Sequence, residues 1–302
     1  MSDTRLRCAF LVMDDESAFV TDYRPGIPPL EARGWRVDCV PWRRPDVDWA
    51  DWHAVYIGAP WDYTDDPARF LAVLAAIDAA GAVLVNPLAL VHWNLDKRYL
   101  YELEAKGAAI VPTTWYARFV DADPARWFDE HGTDRIVIKP RVGANAADTF
   151  VLERPPAAPV LRQLAGLFAE RPFLIQPFLA SIRDPGEYSL FYLGGALSHA
   201  IRKVPKPGDF RVQEEHGAEI LAAEPDAELR SAGERVMALV APAPAYARAD
   251  FVPGVDGRWL LMELELVEPS LYLRMHRDAP ARFAQAIDEY ARSRLGRAAD
   301  RQ

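Results

Sequence analysis

Residues 246–268, YARADFVPGVDGRWLLMELELVE, decide how this chain is read. Arg248 and Asp250 alternate with Ala247, Ala249 and Phe251, and Glu263 and Glu265 alternate with Met262, Leu264 and Leu266. Side chains two apart on a strand share a face, so each charged pair projects from one side of its strand. Asp256-Gly257 between them is a strong signal for a two-residue hairpin turn. With that turn, Asp250 opposes Glu263 and Arg248 opposes Glu265. Directly opposed side chains have Cβ atoms about 4.5–5.5 Å apart, and like charges there are destabilising. Asp250, Glu263 and Glu265 therefore call for a cation. Hard oxygen donors suit Mg²⁺, which completes its octahedron with water and phosphate oxygens. The plainer alternative is a strand pair whose charges face water.

A chain of 302 residues has room for two or three packed subdomains. Half of its residues are hydrophobic and nine are Trp, so a sizeable core is expected. The net charge of −9 argues against nucleic acid or an anionic membrane surface as partner. Cys8 and Cys39 both fall in predicted strands, at a spacing that fits neither a metal site nor a disulfide framework. Both are expected to be buried thiols in a reducing compartment. The N-terminal apolar run is too short for a signal peptide, and no run approaches the ~18 residues of a membrane span. The expectation is a cytoplasmic protein.

Strands over 7–13, 35–40, 54–57 and 83–85, with a helix over 67–80, read as a Rossmann-like parallel α/β unit. A GxGxxG fingerprint is absent. A helix over 94–106 follows, then an extended segment over 110–113. Next come a strand over 135–139, the loop 141–148, a strand over 149–152, a helix over 160–170 and a strand over 173–178. Strands 187–192 and 196–203 flank Gly194-Gly195, a helix covers 226–239, and a last helix covers 281–294. The pattern turns from alternating α/β to hairpin-rich α+β between 90 and 110. The expected units are 1–92, 93–175 and 176–302.

Several residues have the chemistry to hold a nucleotide. Lys139 ends a strand before a loop of small residues (Gly143, Ala144, Asn145, Ala146, Ala147) that can fold backbone N–H groups over phosphates, or that can simply be exposed. Lys97, in WNLDKRYL, stands at a helix start or on the surface. Arg202, Lys203, Lys206 and Arg211 form either a solvated basic face or a landing site for phosphate and carboxylate. Asp62 and Tyr63 follow a parallel strand, where ligand crevices form. Trp61, Trp93 and Trp115 read as packing residues, and His199 as a structural histidine.

The order of these features resembles the ATP-grasp superfamily across essentially the whole chain. The thirteen-residue step from Asp250 to Glu263, and the further step to Glu265, are similar to the metal-carboxylate pattern of its peptide ligases. Many of those have Asn where this chain has Glu265. Trp61-Asp62-Tyr63, Trp93-Asn94, Gly186-Glu187-Tyr188-Ser189, Ser198-His199, GDFRVQ over 208–213 and ELELVEPS over 263–270 resemble the glutathione-synthetase/RimK-like branch. More closely, they resemble its subgroup containing the cyclo-ligase of D-cycloserine biosynthesis. The loop 141–148 departs from the pattern, being poor in glycine.

The resemblance implies an ATP-grasp fold: an N-terminal Rossmann-like parallel sheet, then two α+β subdomains that sandwich ATP. It implies that Lys97, Lys139 and Lys203 contact the nucleotide, that Gln176, Pro177, Phe178 and Leu179 border adenine, and that Glu187 holds the ribose. Asp250, Glu263 and Glu265 would hold two Mg²⁺ ions, with Mn²⁺ able to substitute. Arg248, Lys139 and Arg211 would act in catalysis, and Arg202, Arg211, Asp62, Tyr63 and Ser270 would meet a small amino-acid-like carboxylate. The implied activity is an ADP-forming carboxylate–amine ligase working through an acyl phosphate, with ring closure as in cycloserine biosynthesis. The alternatives are an intermolecular amino-acid ligase and an ATP-grasp kinase. A homodimer is a family-level expectation.

Overall fold

A computed structural model describes residues 5–119, 124–143 and 146–299. Ala144 and Asn145 of the small-residue loop lie outside the described residues. Strands β1 (Leu6–Val12), β2 (Trp35–Pro41), β3 (Ala54–Ala59) and β4 (Val83–Val85) form a parallel sheet in the order β2-β1-β3-β4. Helix α1 (Ile27–Glu31) links β1 to β2, and α2 (Pro67–Ala79) links β3 to β4. The strand order reverses between β1 and β3. Open parallel sheets bind ligands at such a reversal, beyond the carboxyl ends of the strands. The segments at that place are residues 13–23 and the short helical turn Trp61–Asp65. Cys39 was expected to be buried but is exposed, because β2 is an edge strand; Cys8, on β1 inside the sheet, is fully buried.

Helices α3 (Leu88–Leu95) and α4 (Tyr99–Ala105) replace the single helix expected over 94–106. Asp96 breaks it. Its side chain accepts from Arg98 N at 3.0 Å and pairs with Arg141, giving the backbone an alternative to the helical ladder. Lys97 therefore sits in the break rather than at a helix start.

Strands β5 (Thr114–Tyr116), β6 (Arg135–Pro140), β7 (Phe150–Glu153) and β8 (Phe173–Pro177) form an antiparallel sheet in the order β5-β8-β6-β7. Helices α5 (Pro124–His131) and α6 (Ala158–Leu167) belong to the same region, where Trp127, Phe128 and Leu164 join its core. Strand β8 straddles the expected 175/176 boundary.

The third sheet runs β11-β10-β9-β12-β13, all antiparallel. Its strands are β9 (Glu187–Leu193), β10 (Ala196–Val204), β11 (Glu219–Ala223), β12 (Tyr246–Pro253) and β13 (Trp259–Glu265), with α7 (Ala227–Ala238) between β11 and β12. Helix α8 (Ala279–Ala299) then returns to the first sheet, where the Phe283 ring meets Tyr56 at 5.0 Å and Phe10 at 6.1 Å. Gly26 permits this approach: a Cβ there would stand 2.4 Å from the Phe283 ring.

In the β12–β13 hairpin, Arg248 opposes Glu265 and Asp250 opposes Glu263, as expected. The route to that register differs. Gly254 N donates to Arg258 O at 2.8 Å, so Val255, Asp256 and Gly257 form a three-residue loop with Gly257 at φ +80°. Loops of this kind put glycine in the left-handed region. The resulting one-residue offset is removed by a bulge at Met262, since Phe251 opposes Leu261 while Asp250 opposes Glu263.

Strand β13 is an edge strand whose outer backbone is satisfied by other groups. Leu261 N donates to Ala109 O (2.8 Å) and Val111 N to Leu261 O (3.1 Å). Leu264 N donates to the Tyr99 hydroxyl (2.9 Å). Asn94 donates to Leu264 O (2.8 Å) and accepts from Leu266 N (2.7 Å), and Asn86 donates to Leu266 O (2.8 Å). Asn94→Ala leaves a buried C=O and a buried N–H without partners. The expected cost is about 2–4 kcal/mol in urea unfolding. A loss below about 1 kcal/mol would show that the other contacts hold the edge.

Candidate active site

The three sheets enclose one cleft. Its walls carry Lys139 of β6, Gln176 of β8, Glu187 of β9, Lys203 of β10, Arg248 and Asp250 of β12, and Glu263 and Glu265 of β13. Pro177, Phe178 and Leu179 close one side. Val20, Trp61 and Tyr63, from the reversal point of the parallel sheet, close the other.

Arg248 organises the charges. Its guanidinium donates to both carboxylate oxygens of Asp250 (3.1 and 3.2 Å), to Glu265, and to the main-chain oxygen of Ser270 (3.2 Å). Asp250, 3% exposed, also accepts from Ser189 Oγ at 2.6 Å and meets Lys203 Nζ at 3.5 Å. Burial opposes the charge of Asp250, but Arg248, Lys203 and Ser189 hold its carboxyl below the usual value. The cation that the opposed carboxylates call for is thus supplied in part by the protein itself. Among the described residues, no three His, Cys, Asp or Glu side chains already converge as a metal cluster.

Lys97 Nζ pairs with Glu263 at 2.9 Å and donates to Gly143 O at 2.8 Å. Burial works against its charge, yet Glu263, Glu265 and Glu268 together raise its pKa. Lys139 is different. Burial lowers its pKa, Glu263 offsets this only in part, and no ion pair reaches it among the described residues. Glu263 itself is held low by Lys97 and Lys139 against its burial. Burial pushes Glu265 up to about 8, against the pull of Arg248 and with the push of Glu263 and Asp250.

The other expected site residues divide. Gln176 donates to Thr113 Oγ1 at 2.9 Å, which orients its amide beside the cleft. Glu187, expected at a ribose, is paired with Lys203 at 2.9 Å, and burial raises its pKa. Arg211 borders the cleft with its guanidinium held by Asp209 (2.8 Å), and Ser270 also lines it. Tyr63 faces the cleft near Glu268, and burial with that carboxylate raises its hydroxyl's pKa. Arg202 and Asp62 are not brought to it. Arg202 neighbours Lys203 on β10 and so faces the opposite side of the sheet. Asp62 turns inward to accept from Trp42 Nε1 (2.6 Å) and to pair with Arg43 (2.9 Å). Glu268, Trp61 and Tyr272 also line the cleft and carry no site expectation from the sequence, and Thr113 stands behind Gln176. For Glu268, a signal was available: a carboxylate just past the strand that bears Glu263 and Glu265, before Pro269-Ser270.

His199 is structural, as expected. Its Nε2 donates to Leu271 O (2.9 Å), its Nδ1 meets Ser198 Oγ (3.0 Å), and its ring stacks on Phe191 at 4.3 Å. Burial lowers its pKa to about 4; the bond to Leu271 opposes this, while His276 and Arg282 add to it. Below an unfolded-state value of about 6.5, the unfolded chain binds a proton that the folded chain refuses until about pH 4. Stability is therefore complete above about pH 6.5 and falls as pH drops toward about 4. In urea unfolding, wild type is expected to lose about 2–3 kcal/mol more than His199→Gln between pH 7 and 4.5. Equal losses would show that His199 does not carry this slope.

The fold and the charged cleft define an ATP-grasp ligase. Residues 8–86 match the family described as D-cycloserine synthetase DcsG, N-terminal domain. The chain is 32% identical over 300 residues to the cycloserine biosynthesis protein DcsG of Streptomyces lavendulae, a match covering 92% of this chain and 97% of that protein. It belongs to the DcsG family. The crystal structure of D-cycloserine synthetase DcsG superposes with a TM-score of 0.83 at 31% identity, covering 94% of this chain and 99% of that one. The ATP-grasp ligase PsnB, complexed with a phosphomimetic precursor variant, Mg and ADP, gives 0.64 at 19% identity, covering 94% and 98%. The D-alanine–D-alanine ligase of Bacillus anthracis, complexed with ATP, gives 0.68 at 15% identity, covering 97% and 99%. Among the described residues, no helix is long and apolar enough to cross a membrane.

Proposed function

We propose that this enzyme activates a small amino-acid-like carboxylate as an acyl phosphate, releases ADP, and then captures an amine of the same molecule, closing a ring. The observation that carries the reading is the meeting of Lys139 and the Lys97–Glu263 pair with the reversal-point loops of the parallel sheet in one cleft. Ring closure is supported by the identity with the cycloserine biosynthesis protein over nearly the full length.

The cleft carboxylates fit a hard divalent cation. Glu263 and Glu265, with Asp250 beside them, offer only oxygen donors, and the raised pKa of Glu265, from burial and its carboxylate neighbours, supports a site that gains from further positive charge. These three would hold Mg²⁺, up to two ions, or Mn²⁺ in its place. When bound, the metal supplies neutralisation of the phosphate oxygens.

Lys139 and Lys97 neutralise the remaining phosphate charge, while Gln176 and the Pro177–Leu179 backbone border adenine. Glu187 faces the ribose with its charge balanced by Lys203. A substrate carboxylate oxygen bonds to the γ-phosphorus as the bond to the β–γ bridging oxygen breaks, and ADP leaves. Phosphoryl transfer asks the protein for position and charge neutralisation more than for covalent chemistry. The amine nitrogen then bonds to the acyl carbon, the carbon–oxygen bond to phosphate breaks, and the nitrogen proton passes to solvent. Arg248 stabilises the oxyanion of that step. Arg211 meets the substrate carboxylate, and the segments around 141–143 and 206–217 keep water from the acyl phosphate.

The test is ADP and phosphate release from Mg-ATP with amino acids and O-substituted serines, each alone and in pairs, with products identified by mass. ADP release with a single substrate and a cyclised product mass is the expected result. A condensed product that needs two substrates would replace ring closure with intermolecular ligation. A stable phosphorylated product would replace the ligase with a kinase.

A further inference from the structure

Glu268 has no part in the chemistry above. It lies three residues beyond β13, where the cleft meets the N-terminal sheet, and its side chain lines the cleft. One aromatic side chain holds its backbone and a second stands beside it. Trp61 Nε1 donates to its main-chain oxygen at 2.9 Å, and Tyr63 lines the same cleft close enough for the two groups to act on each other's charge. Both aromatics are themselves held. The Phe19 ring packs on Trp61 at 5.4 Å, and Phe70 packs on Tyr63 at 4.8 Å.

Glu268 differs in one respect from its neighbours. Glu187 is paired with Lys203, Asp250 with Arg248 and Lys203, Glu263 with Lys97, and Glu265 with Arg248. Apart from the exposed Glu215, Glu268 is the cleft carboxylate that no Lys or Arg reaches within ion-pair distance among the described residues. Burial pushes it up to about 7, against the pull of the nearby Tyr63 hydroxyl and of Lys97. Two residues on, the Ser270 hydroxyl oxygen is buried in the same wall without a partner among the described residues. An unpaired carboxylate on an anchored backbone, a spare hydroxyl and two aromatic rings together match a primary ammonium, which has three donors and favours aromatic faces.

We infer that Glu268, held by Trp61 and flanked by Tyr63, receives the ammonium of an α-amino-acid substrate and selects it over the corresponding hydroxy acid. The inference rests on the ligase reading and adds an orientation to it. The substrate carboxylate points to Arg211 and toward the phosphate end of the cleft at Lys139, and the ammonium points to the N-terminal sheet. Glu268 acts on specificity and takes no part in phosphoryl transfer.

The experiment measures ADP release with an O-substituted D-serine and with its 2-hydroxy analogue. In the wild type, the amino acid is preferred by about 100-fold in kcat/KM, the scale set by a buried polar partner left unmatched. Glu268→Gln raises the amino-acid KM by about 10–100-fold and brings the preference below about 10-fold, while kcat and the KM for ATP change by less than about 3-fold. Glu268→Asp keeps the charge and is expected to keep the preference. Tyr63→Phe raises the amino-acid KM alone, by a few-fold. A preference that survives in Glu268→Gln overturns the assignment and leaves the ligase reading standing. Absence of ADP release by the wild type with every amino acid overturns both.

Discussion

Glu263→Gln is expected to lower ATP turnover by at least about 100-fold, or about 2.7 kcal/mol in barrier. The substitution is nearly isosteric, so the β12–β13 hairpin keeps its register. Two things are lost with the charge. Lys97, buried and 2.9 Å from Glu263, loses its counter-ion. The cleft also loses the carboxylate whose charge acts on both cleft lysines, Lys97 and Lys139. The measurement is ADP release at saturating Mg-ATP. A rate close to wild type would remove Glu263 from the proposed metal site.

Arg248→Ala is expected to reduce activity by about 1000-fold or more and to cost about 3–5 kcal/mol of stability. The guanidinium serves three groups at once: Asp250, Glu265 and the Ser270 carbonyl. Its removal leaves Glu265 without an ion-pair partner among the described residues, while Asp250 keeps Ser189 and Lys203. Arg248→Lys separates the two effects. An ammonium restores charge but not the planar fork, so stability should recover further than activity does. Urea unfolding and ADP release on the same preparations give the comparison. Recovery of both in the Lys variant would mean that charge alone is required.

The carboxylate pairs were legible because a strand has a period of two, and an alternating charge pattern survives small errors in the turn. The turn itself was misjudged. Asp256-Gly257 serves a three-residue loop as well as a two-residue one, and the bulge at Met262 has no local signature. Face parity was also hidden within the run of cations. Arg202 and Lys203 are neighbours of like charge, and only the pairing of β10 with β9 decides which one enters the cleft. Asp62 and Tyr63 posed the same problem in a helical turn, where an indole 20 residues earlier captures the aspartate. The helix break at Asp96 depends on Arg141, a partner distant in sequence, so periodicity alone ran through it. The order of elements was readable throughout; contacts between distant segments were not.

The filled edge of β13 also bears on assembly. Exposed strand edges are templates on which a second copy can extend a sheet. In the five-stranded sheet that route is closed beside the cleft carboxylates, because Asn86, Asn94, Tyr99 and the 109–111 segment already occupy the available donors and acceptors. A dimer built by continuing this sheet would have to join through β11, at the far side from Glu263. Its formation would leave the hairpin that bears Glu263 and Glu265 untouched.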